Sequence, residues 1–574
     1  MAKASSWFLG AGCLLVVLGA AIMALLVHGL SAPALPRNMV VALTVSGPIA
    51  EVTADDPISE LMGEQPTSLR KLGEALNRAA EDDRVRGLRV RVDSVGGGLA
   101  TAQELRALIH RFNAAGKWTS AYIDTAGEFT PGNFIYYVAS ACDEIVMNPQ
   151  GDVNLIGFSA RVPFLRGTFD KLDIKAEFPG RGAYKTARFM YTQRDFTPAH
   201  REMMDWLLGS FMDQLVDAVA ASRGLESSQV RNLIDRAPFL GEEAVDVGLV
   251  DRLEDWTAYT EGIEDREPDA RIVGAHSYLK RSRFAERGPR IAVVTAVGAI
   301  LRGENRRDVN PLLGGEIMGS STIARAFRNV RKAGGVEAVV FRIDSPGGSA
   351  LASEIIRQEM IRTAEDIPVV VSMSNVAGSG GYWITCGAQR IVADPGTITG
   401  SIGVFAGHLN MDGFWTNKLG VTYGRVDTAA NADIYGSLED WTDEQRAVVD
   451  RMLDRIYDTF VDQVADSRDM TREAVDAIGR GRVFTGEQAL ENGLVDVLGG
   501  FDDAVVEAKI LAGLDPDAPV TLLEYPRVEP WWRQLANRGR SDEIGAALAV
   551  LERWVGTGEI DVPGVVWMPP ITIQ

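Results

Sequence analysis

Cysteine and histidine are both scarce in this chain of 574 residues, with three of the first and five of the second. Cys13 lies in an apolar run, and Cys142 and Cys386 stand far apart without C-x-x-C spacing. Neither a zinc site nor a disulfide framework is indicated. The histidines are scattered and no H-E-x-x-H occurs, so metal catalysis has no motif, and no metal or cofactor is expected. No Lys/Arg cluster offsets a formal net charge of −20, and a nucleic-acid partner, which needs a basic surface, is excluded.

Charge is missing altogether from Trp7 to Leu30, a run about as long as a membrane-spanning helix. Lys3 and the amino terminus precede it, Arg37 follows, and acidic residues dominate beyond. That bias points the N-terminus inward and the body of the chain outward. Cleavage as a signal peptide is disfavoured by the length of the run and by Pro33 after the small residue Ala32. The segment 1–38 is therefore expected to be a retained single-pass anchor, spanning about 7–30, that places the rest on the extracytoplasmic side of a membrane.

What the chain does have is an internal repeat. Met39 to Ile49 aligns with Arg290 to Ile300, and Leu88 to Gly98 with Val339 to Ser349, both 251 residues apart. Tyr136 to Pro149 aligns with Tyr382 to Pro395 at 246, and Phe239 to Asp251 with Phe484 to Asp496 at 245. The kept order implies a duplication. Each copy reads as strand, glycine turn, helix, strand, helix, strand, which is the α/β pattern. The expected domains are a first repeat over 39–261, a charged linker over 262–289, a second repeat over 290–510 and a tail over 511–574. In the second repeat Val339 to Ile343 and Pro368 to Met373 read as strands and Leu351 to Ala364 as a helix capped by Ser349. Trp206 to Ser222 and Gln445 to Asp466 read as further helices, and Ser541 to Trp554 as a short helix in the tail.

The stretch around which the copies differ is Ala377-Gly-Ser-Gly-Gly-Tyr-Trp383. Ser379 falls at a strand-to-helix turn, near free backbone N–H groups and among residues small enough to let a substrate backbone approach. Those are a nucleophile's requirements. A lipase-type G-x-S-x-G elbow is excluded by Ala377, and a phosphate loop by the absence of a following Gly-Lys-Ser/Thr. The partner of Ser379 in the first repeat is Asn133, without hydroxyl or glycine pair. A serine also needs a proton acceptor. Lys185, among small residues in Gly180-Arg-Gly-Ala-Tyr-Lys-Thr-Ala-Arg188, has only Ala430 or Asn431 opposite it in the second repeat. One copy keeps an amine and the other a hydroxyl, as a composite site between them would require. His408 competes for the role of base, and spacing does not choose between the two.

At these residues the chain resembles the signal peptide peptidase SppA, or protease IV, family of serine peptidases in its long, membrane-anchored form. The resemblance rests on Asp344-Ser-Pro-Gly-Gly-Ser349, Ser379-Gly-Gly-Tyr-Trp383, Thr399-Gly-Ser-Ile-Gly403 and Tyr184-Lys-Thr-Ala187, and it covers nearly the whole length. It implies tandem domains of the Clp-protease/crotonase type behind one N-terminal transmembrane helix. It implies a dyad of Ser379 as nucleophile and Lys185 as general base, with Ser401 orienting the lysine. It further implies an oxyanion site from the backbone N–H groups of Gly348 and Gly380. The activity implied is degradation of cleaved signal peptides and other extended apolar peptides, at a bacterial inner membrane, by a homo-oligomer, tetrameric in the long form. Lys185 is followed by Thr-Ala-Arg-Phe-Met190 where relatives often continue Ser-Ala-Val-Glu-Pro, which bears on subsites. A crotonase-type acyl-CoA enzyme would share the fold without needing the Ser379/Lys185 division. A catalytically silent membrane scaffold would keep the duplication and lose the serine.

Overall fold

The computed structural model describes residues 34–51, 67–282, 288–308 and 315–527, with the backbone of 565–566 and 572–573. The expected anchor and the expected helix over Ser541 to Trp554 lie outside the described residues. Among the described residues no helix is long and apolar enough to cross a membrane.

Two largely parallel sheets carry the chain. In the first, the strand order is Arg252–Leu253, Glu144–Met147, Trp118–Ile123, Val85–Val92, Met39–Val45, Arg271–Gly274. The second runs Val497–Leu498, Arg390–Ala393, Val369–Gly378, Val336–Ser345, Arg290–Val297, Thr521–Tyr525. Position for position these six strands take the same order, and every one of these neighbours is parallel; the second sheet also carries Ile398–Gly400, parallel to Val369–Gly378, and Val483–Thr485, antiparallel to Ile398–Gly400. Arg290–Val297 and the start of Val369–Gly378 read as near-continuous apolar runs because both faces are covered. Ala292 and Val294 pack into one core with Phe327, Phe341 and Ile356, while Ile291 and Val293 pack into another with Ala504, Val505 and Ala508.

Side-chain ties recur as well. The Tyr136 hydroxyl donates to Leu249 O at 2.8 Å, and the Tyr382 hydroxyl to Leu494 O at 2.8 Å. Arg223 grips Asp251, which accepts from Ile145 N, and Arg468 grips Asp496, which accepts from Ile391 N. Each set ties a short helix, Asn133–Ala139 or Gly380–Trp383, and its long neighbour to the strand that follows, Glu144–Met147 or Arg390–Ala393.

The long helices follow from their caps. Thr197 caps Pro198–Arg223, with proline at the first helical position, and Gly224 ends it in the left-handed conformation at φ 64°. Thr442 and Gln445 form a reciprocal box at the head of Asp443–Arg468. Ser349 caps Ala350–Ala364, as its position predicts, by accepting from Ala352 N.

The stretches read as linker and tail both carry sheet strands. Within 262–289, helix Trp256–Arg266 runs on from the first repeat, and Arg271–Gly274 pairs with Met39–Val45 at the sheet edge. Helix Ala275–Arg281 then packs down, and the Tyr278 hydroxyl donates to Asp82. The tail likewise returns Thr521–Tyr525 to the edge of the second sheet. Both are short edge strands with one neighbour each, so neither needs the long apolar run by which a central strand is read.

The repeats interlock along several seams. Lys175–Glu177 and Gly180–Arg181 of the first pair antiparallel with His408–Asn410 and Val404–Phe405 of the second. Helix Pro198–Arg223 lies on Val483–Thr485, where Trp206 meets Phe484 edge-on and Ser210 Oγ bonds Thr485 Oγ1 at 3.0 Å. These seams bracket residue 185.

Candidate functional site

Strand Val369–Gly378 outruns its first neighbour. Val370 to Met373 pair with Arg390 to Ala393, and Val376 to Gly378 then pair with Ile398 to Gly400. The extension delivers Ser379 to the head of helix Gly380–Trp383 in a backbone conformation of φ 56°, ψ −116°. A residue with a Cβ rarely adopts it, and such strain is held only where surroundings over-determine it. Here Ser379 N donates to Gly400 O at 2.8 Å and Trp383 N to Ser379 O at 2.9 Å. Beneath, a Cβ on Gly347 would lie 2.9 Å from Ser379 Cβ, so only glycine fits.

Lys185 enters from the first repeat, at the start of the 3₁₀ turn Thr186–Arg188. Its Nζ stands 2.6 Å from Ser379 Oγ, 3.0 Å from Ser401 Oγ and 3.0 Å from Ser401 O. All three residues are buried, with Lys185 at 1% and Ser379 at 0% exposure. Burial holds the Lys185 pKa well below the usual lysine value. A neutral amine has two N–H donors and one lone pair. A neutral amine that donates to both Ser401 oxygens has its lone pair free for the Ser379 hydroxyl.

Gly348 and Gly380 adjoin the hydroxyl. Gly348 N lies 3.0 Å from where a Cβ on Gly380 would sit, and Gly380 N lies 2.7 Å from where one on Gly347 would sit. Gly380 is the first residue of its helix, and its N–H has no acceptor within that helix. The edge of Gly348–Ser349 also pairs antiparallel with the backbone of Val565–Val566.

The geometry thus brings Ser379, Lys185, Ser401, Gly348 and Gly380 together within one chain. His408 is elsewhere: its ring stacks on Trp441 at 4.5 Å and its Nε2 bonds Gly436 O at 3.0 Å. Asn133, opposite Ser379 in the repeat, spends its amide on a loop, donating to Gly157 O and accepting from the N–H groups of Ile156 and Gly157. Cys142 and Cys386 are buried free thiols, raised by burial to about 12 and about 11. Among the described residues no group of His, Cys, Asp and Glu could hold a metal ion.

Two features escaped the sequence. Asn375, four residues before Ser379, reaches into the first repeat, where its Oδ1 accepts from Gly98 N at 2.8 Å and Thr101 N at 3.1 Å. It caps helix Leu99–Ala114, whose own cap residue, Gly98, has no side chain to do so where the second repeat has Ser349. The second is Arg480-Gly481-Arg482, which lies against Lys185. Its signal was present in the repeat, because Gly481 stands opposite Arg236 at the 245-residue offset.

Comparison with known proteins bears on this site. The model of peptidase family S49 matches residues 130–267 and 361–515, one stretch in each repeat. Protease 4 of Salmonella typhi is 33% identical over 467 residues, which cover 78% of this chain and 73% of that protein. Serine protease SPPA, chloroplastic, of Arabidopsis thaliana is 29% identical over 505 residues, covering 86% and 72%. Protease 4 of Haemophilus influenzae is 30% identical over 506 residues, covering 84% and 79%. With both of its halves matched and such relatives aligned over most of their length, the chain belongs to peptidase family S49.

Proposed function

We propose that the protein is a membrane-anchored serine endopeptidase in which Ser379 is the nucleophile and Lys185 the general base. The observation that carries it is the buried amine 2.6 Å from Ser379 Oγ, its remaining bonds taken by Ser401. A protonated lysine cannot accept a proton, so a lysine base needs a site that favours the neutral form, and burial without a carboxylate partner supplies one.

As Ser379 Oγ attacks a peptide carbonyl carbon, its proton passes to Lys185 Nζ. The N–H groups of Gly348 and Gly380 hold the carbonyl oxygen as it gains charge. Lys185 then gives its proton to the leaving amine, the C–N bond breaks, and an acyl-enzyme on Ser379 remains. Water attacks the ester carbonyl while Lys185 takes its proton, and that proton returns to Ser379 Oγ as the acid leaves. Ser401 orients the amine throughout.

The substrates we assign are extended, largely apolar peptides, cleaved signal peptides among them. Antiparallel pairing of Val565–Val566 with Gly348–Ser349 supports this, since an edge that takes one extended backbone suits another. A family match in each half and a shared order of six parallel strands in the two sheets support tandem domains of the Clp-protease/crotonase type that arose by duplication. The single-pass anchor at a bacterial inner membrane, the extracytoplasmic body and assembly into a homo-oligomer, a tetramer by resemblance, complete the proposal.

A fluorophosphonate probe tests the chemistry: labelling is expected in the parent and absent in Ser379→Ala. Labelling that survives Ser379→Ala would reject the nucleophile. For the substrate, a synthetic signal peptide should be cut much faster than a folded protein of matched length, and equal rates would reject the preference for extended chains.

A further inference from the structure

Three consecutive residues of the second repeat, Arg480, Gly481 and Arg482, form a strap across the backbone of Lys185. Arg480 O accepts from Tyr184 N at 2.9 Å, Gly481 N donates to Ile402 O at 2.7 Å, and Arg482 O accepts from Ser401 N at 2.7 Å. The strap therefore bonds the residue before Lys185, Ser401 itself and the residue after Ser401. Those are the backbones that carry the amine and both groups it donates to.

The strap lies closer than any side chain would allow. Gly481 has φ +84°, and a Cβ there would come within 3.0 Å of the N, Cα and Cβ of Lys185. From the first repeat, Gly182 answers it at φ +94°, where a Cβ would strike Arg480 O. Gly403 closes the third side, since its Cβ would sit 3.0 Å from Gly481 Cα. Over the top, the Arg482 guanidinium stacks on the Tyr184 ring at 3.8 Å and bonds Glu202 at 2.7 Å. Three glycines from two repeats thus bring three backbone segments, 182–185, 401–403 and 480–482, into contact around one lysine.

We infer that Gly481 is a positioning residue for the reaction, acting through Lys185: the missing Cβ lets the first repeat seat its amine against Ser379 and Ser401. The inference rests on the Ser379/Lys185 reading above. A methyl group at 481 must push the Lys185 backbone off the strap. Nζ then withdraws from Ser379 Oγ, and the amine moves from its dry seat toward water, where protonation is easier.

The test is the pseudo-first-order rate of fluorophosphonate labelling against pH for Gly481→Ala, with saturated labelling counting active sites. We expect the rate per active site at pH 7 to fall by about tenfold or more, and the midpoint of its rise with pH to move upward. Partial unfolding would lower the number of sites and leave that midpoint in place. Gly493→Ala is the control, because Gly493 has φ +75° with nothing within 4 Å of its would-be Cβ. It carries the backbone strain without the collision and should label as the parent does. In a Lys185→Ala background, Gly481→Ala should add no further loss. A parental rate and midpoint in Gly481→Ala, an equal effect in Gly493→Ala, or an additive loss beside Lys185→Ala would each overturn the inference. Should Gly481→Ala fail to fold, Gly182→Ala presses the same strap from the other side, where a Cβ would lie 2.1 Å from Arg480 O; its midpoint should also rise, and an unmoved midpoint overturns the inference. Lys185→Ala labelling at the parental rate would instead reject the dyad, whereas an inert Lys185→Ala beside an unaffected Gly481→Ala rejects only the role of Gly481.

Discussion

Arg342, on the second sheet, holds Glu51 of the first repeat through two bonds of 2.8 and 2.9 Å. Glu104, also of the first repeat, and the Ser372 hydroxyl take the rest of its guanidinium. The arginine is buried, and the two carboxylates keep its pKa well above the ordinary value despite desolvation. Glu51 is held low by Arg342, whereas Glu104 is pushed up by burial and by Glu51 beside it. One cation therefore serves two carboxylates at the seam between repeats. Removing it strands both charges, and breaking a buried pair in this way costs about 3–5 kcal/mol. Arg342→Met should lower the urea midpoint by a corresponding amount, and adding Glu51→Gln and Glu104→Gln should recover part of the loss. An unchanged midpoint in Arg342→Met would show that the seam does not depend on this trio.

Lys185 should reduce stability where it supports activity. Its pKa in the fold lies well below the ordinary lysine value of 10.5, so between those values the unfolded chain binds a proton that the folded chain lacks. Stability then rises with pH across that window. Lys185→Met removes the cost, and it should melt above the parent at pH 7 by a margin that shrinks toward pH 10.5. The same variant should lose about 10²–10⁴-fold in kcat/KM, the usual share of a general base. A parent that melts with the variant at every pH would mean that the fold does not oppose the charged amine.

Ser401 should matter less than Lys185. Removing its hydroxyl deletes one of the two bonds between Ser401 and Nζ and leaves the bond to the backbone oxygen at 3.0 Å. One such bond contributes about 0.5–1.5 kcal/mol net. Ser401→Ala should accordingly lower kcat/KM by about two- to tenfold with KM nearly unchanged. An activity equal to the parent's would reduce Ser401 to a turn residue, consistent with its φ of 54° alone.

His200 predicts a sensitivity to acid. It lies at the head of helix Pro198–Arg223, buried edge-on to Phe196 and Phe164, and its Nδ1 has no hydrogen-bond partner. Burial lowers its pKa from 6.5 to about 4. The folded chain binds fewer protons than the unfolded one in that window, so the contribution is present above pH 6.5 and is lost as pH falls to about 4. His200→Phe should flatten the fall of melting temperature between those values. A parallel fall in parent and variant would place the acid sensitivity in other groups.

Much of the fold is legible because it is local or repeated. Val369 to Met373 and Val339 to Ile343 show the apolar run of a buried parallel strand, and Thr442 and Ser349 mark helix starts within four residues of their partners. The 251- and 245-residue offsets align strands that do occupy matching places in the two sheets. Edge strands Arg271–Gly274 and Thr521–Tyr525 carry no such mark. Four or five residues with a neighbour on one side need little apolar pattern, and what makes them strands is a partner over two hundred residues away.

By itself the sequence determined which residue types this protein has to work with: a hydroxyl at 379 that the first repeat lacks, an amine at 185 that the second lacks, and no metal motif in either. Complementary loss between copies is a one-dimensional fact and is read in one dimension. Only the tertiary structure decided that the two meet, over 194 positions of chain, and that Lys185 rather than His408 reaches the serine. Proton affinity depends on the water excluded around a group, and the residues that exclude it from Lys185 come from Ser401 and the Arg480 to Arg482 strap of the other repeat. Periodicity and spacing carry no record of that neighbourhood, which exists only once the two sheets have docked.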